Sequence, residues 1–359
     1  MHMNLSASFR VGLLATMVFS FLQPALAGIR ASFSLDYSSW HATEIVLVEV
    51  TPRLSVFRVL ETWKGDLEGG SSVAVPELQP PPGSTEIAAY SEIVGSGRNE
   101  QIPAQHVGSR MVLFLKKAAE ASDEQWKPAD VFGEMKASVV WIDGARLYSF
   151  QQEINPGPST LIPWVAPREM GLDKMKDRVR EVCRIQLELA KVNLTEDGGA
   201  RAEGLKVYVR SDVREAQRLA LSELGKCGPK ALTTIREMLA DPAFADESAD
   251  LVKAFADAGG ESVGEELNVR LQEQLRFWQA TAPTLPVGWW NQDATPHAPL
   301  REKYAQTWEL VLALERVHYR PALVTAEQLG VFWRSLPQLN EDNQMVTECD
   351  KLVNELRTN

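Results

Sequence analysis

Apolar and polar positions follow three different rhythms along this chain. Val11 to Leu22 is a short, nearly continuous apolar run behind Arg10, closed by Pro24 and followed by Ala25-Leu26-Ala27. From Thr43 to Gln151 the pattern turns to β. Glu44 to Val50 is mostly apolar and β-branched, which suits a strand covered on both faces. Leu54 to Thr62 alternates, with Phe57, Val59 and Glu61 set against Val56, Arg58 and Leu60. Ser72–Val75, Arg110–Leu115, Lys136–Ile142 and Arg146–Phe150 complete the strand set, and Asp143-Gly144 is a strong hairpin signal between the last two. Lys64-Gly65-Asp66 and Gly69-Gly70 are turn chemistry, and Pro80-Pro81-Pro82-Gly83 reads as a loop.

After Pro167 the period becomes 3.6. Met175, Val179, Val182, Ile185, Gln186 and Leu189 mark one side of a helix over Arg168–Lys191, and Asn193 to Gly199 breaks it. Helix pairs follow. Ser211 or Asp212 is placed to cap a helix with Val213, Ala216, Ala220 and Leu224 on one face. Ala231, Ile235, Met238 and Leu239 line its successor. Leu251, Val252, Phe255 and Ala258 line the next, and Val263, Leu267, Leu271, Leu275 and Trp278 the one after. Gly225 and Gly259 sit in matching turns 34 residues apart, a spacing typical of α-helical repeats. Further helices are expected at Leu300–Arg316, Thr325–Leu336 and Asn340–Leu356. The reading is an α+β chain: a leader over residues 1–27, a small antiparallel β-barrel over 28–150, a Pro-rich linker over 151–167, and a helical repeat domain over 168–357.

The leader has the charged, apolar and small-x-small order of a cleavable secretory signal, with the mature chain starting at or near Gly28. The apolar run is shorter than the about 20 residues a membrane span needs. An exported chain, periplasmic or secreted, is the expectation. Removing the leader leaves 332 of the 359 residues and takes the net charge from −11 to −12, since Arg10 leaves with it. That balance, with no long Lys/Arg cluster, argues against nucleic acid as a partner. Cys183, Cys227 and Cys349 allow at most one internal bridge; buried thiols on helices are the expectation.

Two family resemblances attach to these residues. The order of Ser55–Val75 with Trp63-Lys64-Gly65, then Val107-Gly108-Ser109-Arg110 running into Val112-Leu113-Phe114-Leu115, resembles the OB-like barrel of exported tissue-inhibitor-of-metalloproteinase and netrin modules. It covers about a third of the chain. Those inhibitors chelate a protease zinc through an N-terminal cysteine. Here the mature chain starts near Gly28 and no Cys precedes Cys183, so the resemblance implies the fold and not the inhibition. Val213-Arg214-Glu215-Ala216, Leu221, Leu224-Gly225, Gly228-Pro229, Ala231-Leu232 and Ile235 are similar to HEAT-like repeats, which implies protein binding. The whole arrangement resembles a class of uncharacterised exported bacterial proteins, which implies no activity.

Candidate chemistry is sparse, and no catalytic residue, cofactor or metal is expected. Gly260-Glu261-Ser262-Val263-Gly264 spells a nucleophile elbow, but the stretch before it reads as helix where the elbow needs a strand. Ser262 fits better as an N-cap, with Glu265 completing a capping box. His41, His106, His297 and His318 stand apart, without zinc spacing. Asp241, Asp246, Glu247 and Asp250 lack the order of a calcium loop and suit capping and solvation. The feature left over is aromatic. Five of the ten tryptophans follow residue 277, and Trp289-Trp290 lies beside Asn291 in a Pro-flanked stretch. Burial in a helical core is the plain explanation for such rings. A recognition surface formed by Trp289, Trp290 and Asn291 is the functional one, because Trp carries interface energy. The function expected is a non-enzymatic exported protein-binding or scaffold protein. The alternatives are a hydrolase whose site forms only in three dimensions, from residues such as Glu49, Glu61 and Asp143, and a carbohydrate- or envelope-binding module using tryptophans.

Overall fold

The computed structural model describes residues 33–53, 55–78, 106–117, 126–129, 138–153, 162–286, 297–336 and 344–358. The leader, the Pro80–Gly83 loop, Trp289, Trp290 and Asn291 lie outside the described residues. The chain divides into two compact units, Met1–Arg184 and Ile185–Asn359.

The first unit is an antiparallel sheet. Its strands are β1 (Glu44–Val50), β2 (Val56–Lys64), β3 (Ser72–Ala74), β4 (Arg110–Lys117), β5 (Trp126–Pro128), β6 (Val139–Asp143), β7 (Arg146–Glu153) and β8 (Ile162–Pro167). The order is β3-β2-β1-β4-β6-β7-β8, with β5 paired to β4. Among the described residues β3 and β8 do not pair, so this sheet is open where a closed barrel was expected. β1 is flanked on both edges, by β2 and β4, and its Ile45, Val46 and Val48 are fully buried, as its unbroken apolar run demands. β2 buries Phe57 and Val59 while Arg58 and Leu60 face solvent, the alternation of a strand covered on one side. The Asp143-Gly144 hairpin forms, with Gly144 at φ 56° and Asp143 opposite Arg146.

The expected linker is corrected here. Residues 151–153 continue β7, and β8 lies wholly within the Pro-rich stretch, pairing from Tyr148↔Pro167 to Glu153↔Ile162. Proline is tolerated because β8 is an edge strand, where a missing N–H breaks no central ladder. The unit also holds a helix the periodicity did not reveal, α1 (Leu35–His41), capped by Ser34, whose hydroxyl accepts from the Tyr37 N–H at 3.3 Å. Seven residues are too few for a 3.6-residue repeat to be read. The helix α2 (Leu172–Asn193) begins in this unit; its Met175 and Val179 belong to the sheet's own core. Arg178 grips Asp36 of α1 with two bonds of 2.8 and 2.6 Å, and Lys176 pairs with Glu61 of β2.

One buried carboxylate shapes a corner of the sheet. Glu44, 7% exposed, accepts from the backbone N–H of Asp66 and Leu67 at 3.0–3.2 Å. It fills the place where a Cβ on Gly65 would stand, 2.0 Å from Oε2. Gly65 also has φ 92°, so both space and backbone require glycine. Next to it, Lys64 Nζ donates to the carbonyls of Ser39 and Trp40 at the end of α1, at 2.8 and 3.3 Å.

The second unit is helical: α3 (Gly198–Lys206), α4 (Arg214–Lys226), α5 (Leu232–Ala240), α6 (Ser248–Gly259), α7 (Gly264–Thr281), α8 (Ala298–Val317), α9 (Leu323–Ser335) and α10 (Gln344–Thr358), besides the end of α2. α4 packs on α6, α6 on α8 and α8 on α10, while α5, α7 and α9 pack back on this row. Three connections each carry one residue of positive φ and a single 3-10 turn before the next helix. Gly228 (φ 67°) and Gly260 (φ 54°, ψ −143°) open the 3-10 turn in the first two, whereas His318 (φ 51°, ψ 38°) ends α8 two residues ahead of the turn in the third; Gly225 and Gly259, expected in the turns, lie within α4 and at the end of α6. That third connection escaped the sequence, which marks such turns by glycine.

α3 is the helix the sequence treated as a break. Asp197 caps it, accepting from the Ala200 N–H at 2.9 Å. Its glycines serve close packing: a Cβ on Gly198 would lie 2.5 Å from the Cys227 carbonyl, and one on Gly204 would lie 2.8 Å from Val192. All three cysteines are free thiols, Cys227 and Cys349 buried and Cys183 half-buried. Among the described residues no helix is long and apolar enough to cross a membrane.

Candidate binding groove

Trp289, Trp290 and Asn291 are outside the described residues. Of the other late tryptophans, Trp278 and Trp333 are core: 0% and 1% exposed, packed edge to face at 5.1 Å. Trp278 donates to Thr307 Oγ1 at 2.9 Å. Trp308 is half-buried near Tyr304.

Ser262 does not cap α7. It lies inside the 3-10 turn Gly260–Val263, is exposed, and donates to the Gly259 carbonyl at 2.6 Å; Val263 holds the N-cap place with no side-chain bond. The extra turn moves the helix start past Glu265's capping reach. A helix, α6, precedes it, so the strand that an elbow needs is missing. Ser211 likewise sits two residues early: its hydroxyl accepts from the Val213 N–H at 3.2 Å, and Val213 takes the N-cap place of α4.

Glu49, Glu61 and Asp143 have separate settings. Glu49 pairs with Arg58. Glu61 pairs with Lys176 and accepts from the Trp63 indole at 3.2 Å; the Lys176 hydrogen bond, above all, holds its carboxyl below the ordinary range. Asp143 is exposed at the β6–β7 hairpin. Among the described residues no three His, Cys, Asp or Glu side chains are grouped to hold a metal ion. Asp241 caps a 3-10 turn through the Ala243 N–H, and Glu247 accepts from Gln217.

Asp250 belongs elsewhere, in a groove the sequence did not reveal. α4 and α6 run side by side in the same direction. Gln217 meets Glu247 near their starts, and Gly225 meets Asp257 near their ends. A Cβ on Gly225 would stand 2.9 Å from that of Asp257, so the small residue sets how closely the helices approach. Along the seam is a groove of about 990 Å³. Arg214, Arg218 and Lys226 line it from α4, and Asp250, Lys253 and Asp257 from α6. Leu221, Ala254 and Ser222 complete much of the floor.

Charge in the groove is uneven. Lys226 is engaged by Glu223 at 2.7 Å. Arg214 and Arg218 are exposed, one helical turn apart, with no hydrogen bond or ion pair among the described residues. Behind the α6 wall, Glu309 of α8 has a carboxyl pushed above its ordinary value, chiefly by burial. Arg316 and Lys253 oppose that shift, and Asp250 and Asp257 reinforce it. Its Oε2 is buried without a hydrogen-bond partner.

Six ionisable side chains thus converge, which is the condition an enzyme would need. Among the described residues no His, Cys or Tyr lines the groove, and the lining hydroxyl, Ser222, has no hydrogen bond to a base. A serine nucleophile is activated by such a pairing. The groove offers directed charge and hydrogen-bonding capacity. Two parts of the sequence carry it: the 214/218 pair and the 250/253/257 set, each on one face of a helix. Only the packing of α4 on α6 brings them together. The chain matches no known family, no curated protein and no solved structure.

Proposed function

We propose that the chain is an exported, non-enzymatic protein-binding protein. In this reading an OB-like sheet domain precedes a HEAT-like helical stack, and the seam between α4 and α6 receives the partner. Export rests on the leader sequence of residues 1–27. The HEAT-like assignment is supported by the three connections that each carry a positive φ and a 3-10 turn, at Gly228, Gly260 and His318. The observation that carries the binding reading is the pair Arg214 and Arg218, exposed in a groove with no partner among the described residues. Arginine is enriched at interfaces because its planar fork makes several directed bonds at once.

The test places a photo-crosslinking residue at Ser222, inside the groove, and in a control chain at Thr233, exposed on α5. Irradiation of the exporting cells should give a discrete protein adduct from position 222 and none from 233. Adducts at both positions alike, or at neither, would overturn the assignment of the groove.

A further inference from the structure

We infer that the partner segment is an acidic extended peptide whose carboxylates alternate along its sequence; this rests on the groove being the binding surface. The α4 wall presents Arg214 and Arg218 four residues apart, which places their Cβ atoms about 5–6 Å from each other. In an extended peptide, side chains on one side recur every second residue, about 6.6 Å apart. Alternate Glu or Asp residues therefore meet successive guanidinium groups, each by charge-assisted bonds that can be bidentate. Lys253 adds a third cation from the opposite wall.

The remaining lining selects for peptide. Asp250 and Asp257 flank Lys253, three and four residues away on α6, and are acceptors only. An extended peptide directs N–H donors sideways as well as carboxylates forward, so it satisfies both walls. A sugar-phosphate backbone offers acceptors to the arginines but no N–H donors to Asp250 and Asp257, and so leaves that wall unanswered. A small carboxylate ion would fill only a fraction of about 990 Å³. Apolar ligands find little to bury against, because only Leu221 and Ala254 offer apolar side chains in the lining.

The probe is a fluorescent peptide of alternating Glu and Ser, titrated into the full chain against Gln-Ser and Lys-Ser versions. A thymidine oligonucleotide of equal charge and free citrate serve as competitors. The Glu-Ser peptide should bind, and added salt should weaken it. The double variant Arg214→Gln/Arg218→Gln should weaken it about tenfold or more. Both side chains are exposed and, among the described residues, unpaired, so the melting temperature should hold; if it does not, Lys253→Gln supplies the same comparison. Equal binding of the Gln-Ser peptide, indifference to these substitutions, or displacement by the oligonucleotide or by citrate at equal charge would overturn the inference. Should the Glu-Ser peptide fail while the Ser222 adduct forms and depends on Arg214 and Arg218, the acidic partner falls and the binding groove stands. If the adduct is absent too, both fall.

Discussion

The sheet unit and the helical unit turn the chain in different ways, although ion pairs such as Lys206–Glu237 and Arg357–Glu327 also link helices in the second. In the sheet, charged side chains turn the corners. Glu44 holds the backbone at Asp66 and Leu67, Lys64 closes the end of α1, and Arg178 ties α2 to Asp36. In the helical unit the connections are made by backbone conformation at Gly228, Gly260 and His318. Close contacts there depend on small residues such as Gly225 and Gly198. The lesson concerns function. At the α4–α6 seam Gly225 and the Gln217–Glu247 hydrogen bond do the joining, and among the described residues Arg214 and Arg218 take no part in it, which is what the proposed binding reading draws on.

The largest expected effect tests the claim that apolar packing holds the helical unit. Trp278 is fully buried, against Trp333 and Phe277. Trp278→Ala should destabilise this unit by about 3–5 kcal/mol, read by denaturant unfolding. A loss below about 1 kcal/mol would mean that the aromatic cluster is not what the unit rests on. Next in size is Glu44→Ala in the sheet unit. It deletes a buried charged acceptor and leaves two backbone N–H groups unanswered, which should cost about 2–3 kcal/mol. Glu44→Gln should cost less, because its carbonyl oxygen still accepts. Equal losses from the two would show that a cavity, not the hydrogen bonds, sets the effect.

Much of this comparison was legible in the sequence. β1, β2, β4, β6 and β7 follow from alternation, from unbroken apolar runs and from Asp143-Gly144. The helix faces at Val213, Ala216, Ala220 and Leu224 are all fully buried as the 3.6 period requires. What failed did so for physical reasons. α1 is too short to show a period. α3 opens on Gly198-Gly199, whose role is close approach, and glycine for that purpose looks identical to glycine for a break. β8 carries prolines that an edge strand tolerates. The groove was hidden because a surface stripe such as Arg214/Arg218 looks like solvated charge until a second helix lies beside it.

Two carboxylates give a smaller and sharper test, because their signs differ between the units. Glu61 has a lowered pKa, first through its bond from Lys176. Its contribution should be complete above its ordinary value of 4.5 and fade as pH falls through the lower, folded value. The pair is partly exposed and screened, so Glu61→Gln should cost less than about 1 kcal/mol at neutral pH and nothing in strong acid. Glu309 has a raised pKa, first through burial. It favours the folded state while protonated, and that advantage is lost as pH rises through the folded value. Glu309→Gln should therefore stabilise the helical unit at neutral pH, by about 0.5–1 kcal/mol after allowance for its partial exposure. Paired melts at neutral and acidic pH read both. A Glu309→Gln loss at neutral pH would show that the carboxylate is bonded in a way that offsets its burial.

The smallest expected effect bears on the positive φ in the third connection. His318 sits at φ 51° and ψ 38°, ends α8, and donates its backbone N–H to the Glu315 carbonyl. A left-handed conformation costs a side-chain-bearing residue roughly 1–2 kcal/mol, though histidine occupies it more readily than most residues. Gly228 and Gly260 escape that cost in the first two. Its imidazole is exposed, so replacing it removes little packing. His318→Gly should then raise stability by about 0.5–1 kcal/mol. That is less than the full strain, because glycine also gains freedom in the unfolded chain. The converse change, Gly260→Ala, should lower stability by about 1–3 kcal/mol: nothing lies within 4 Å of its would-be Cβ, but φ 54° with ψ −143° is backbone that side-chain-bearing residues avoid. Opposite signs would establish that a positive φ is built into both connections. A destabilising His318→Gly would mean that the imidazole has a role of its own at the end of α8.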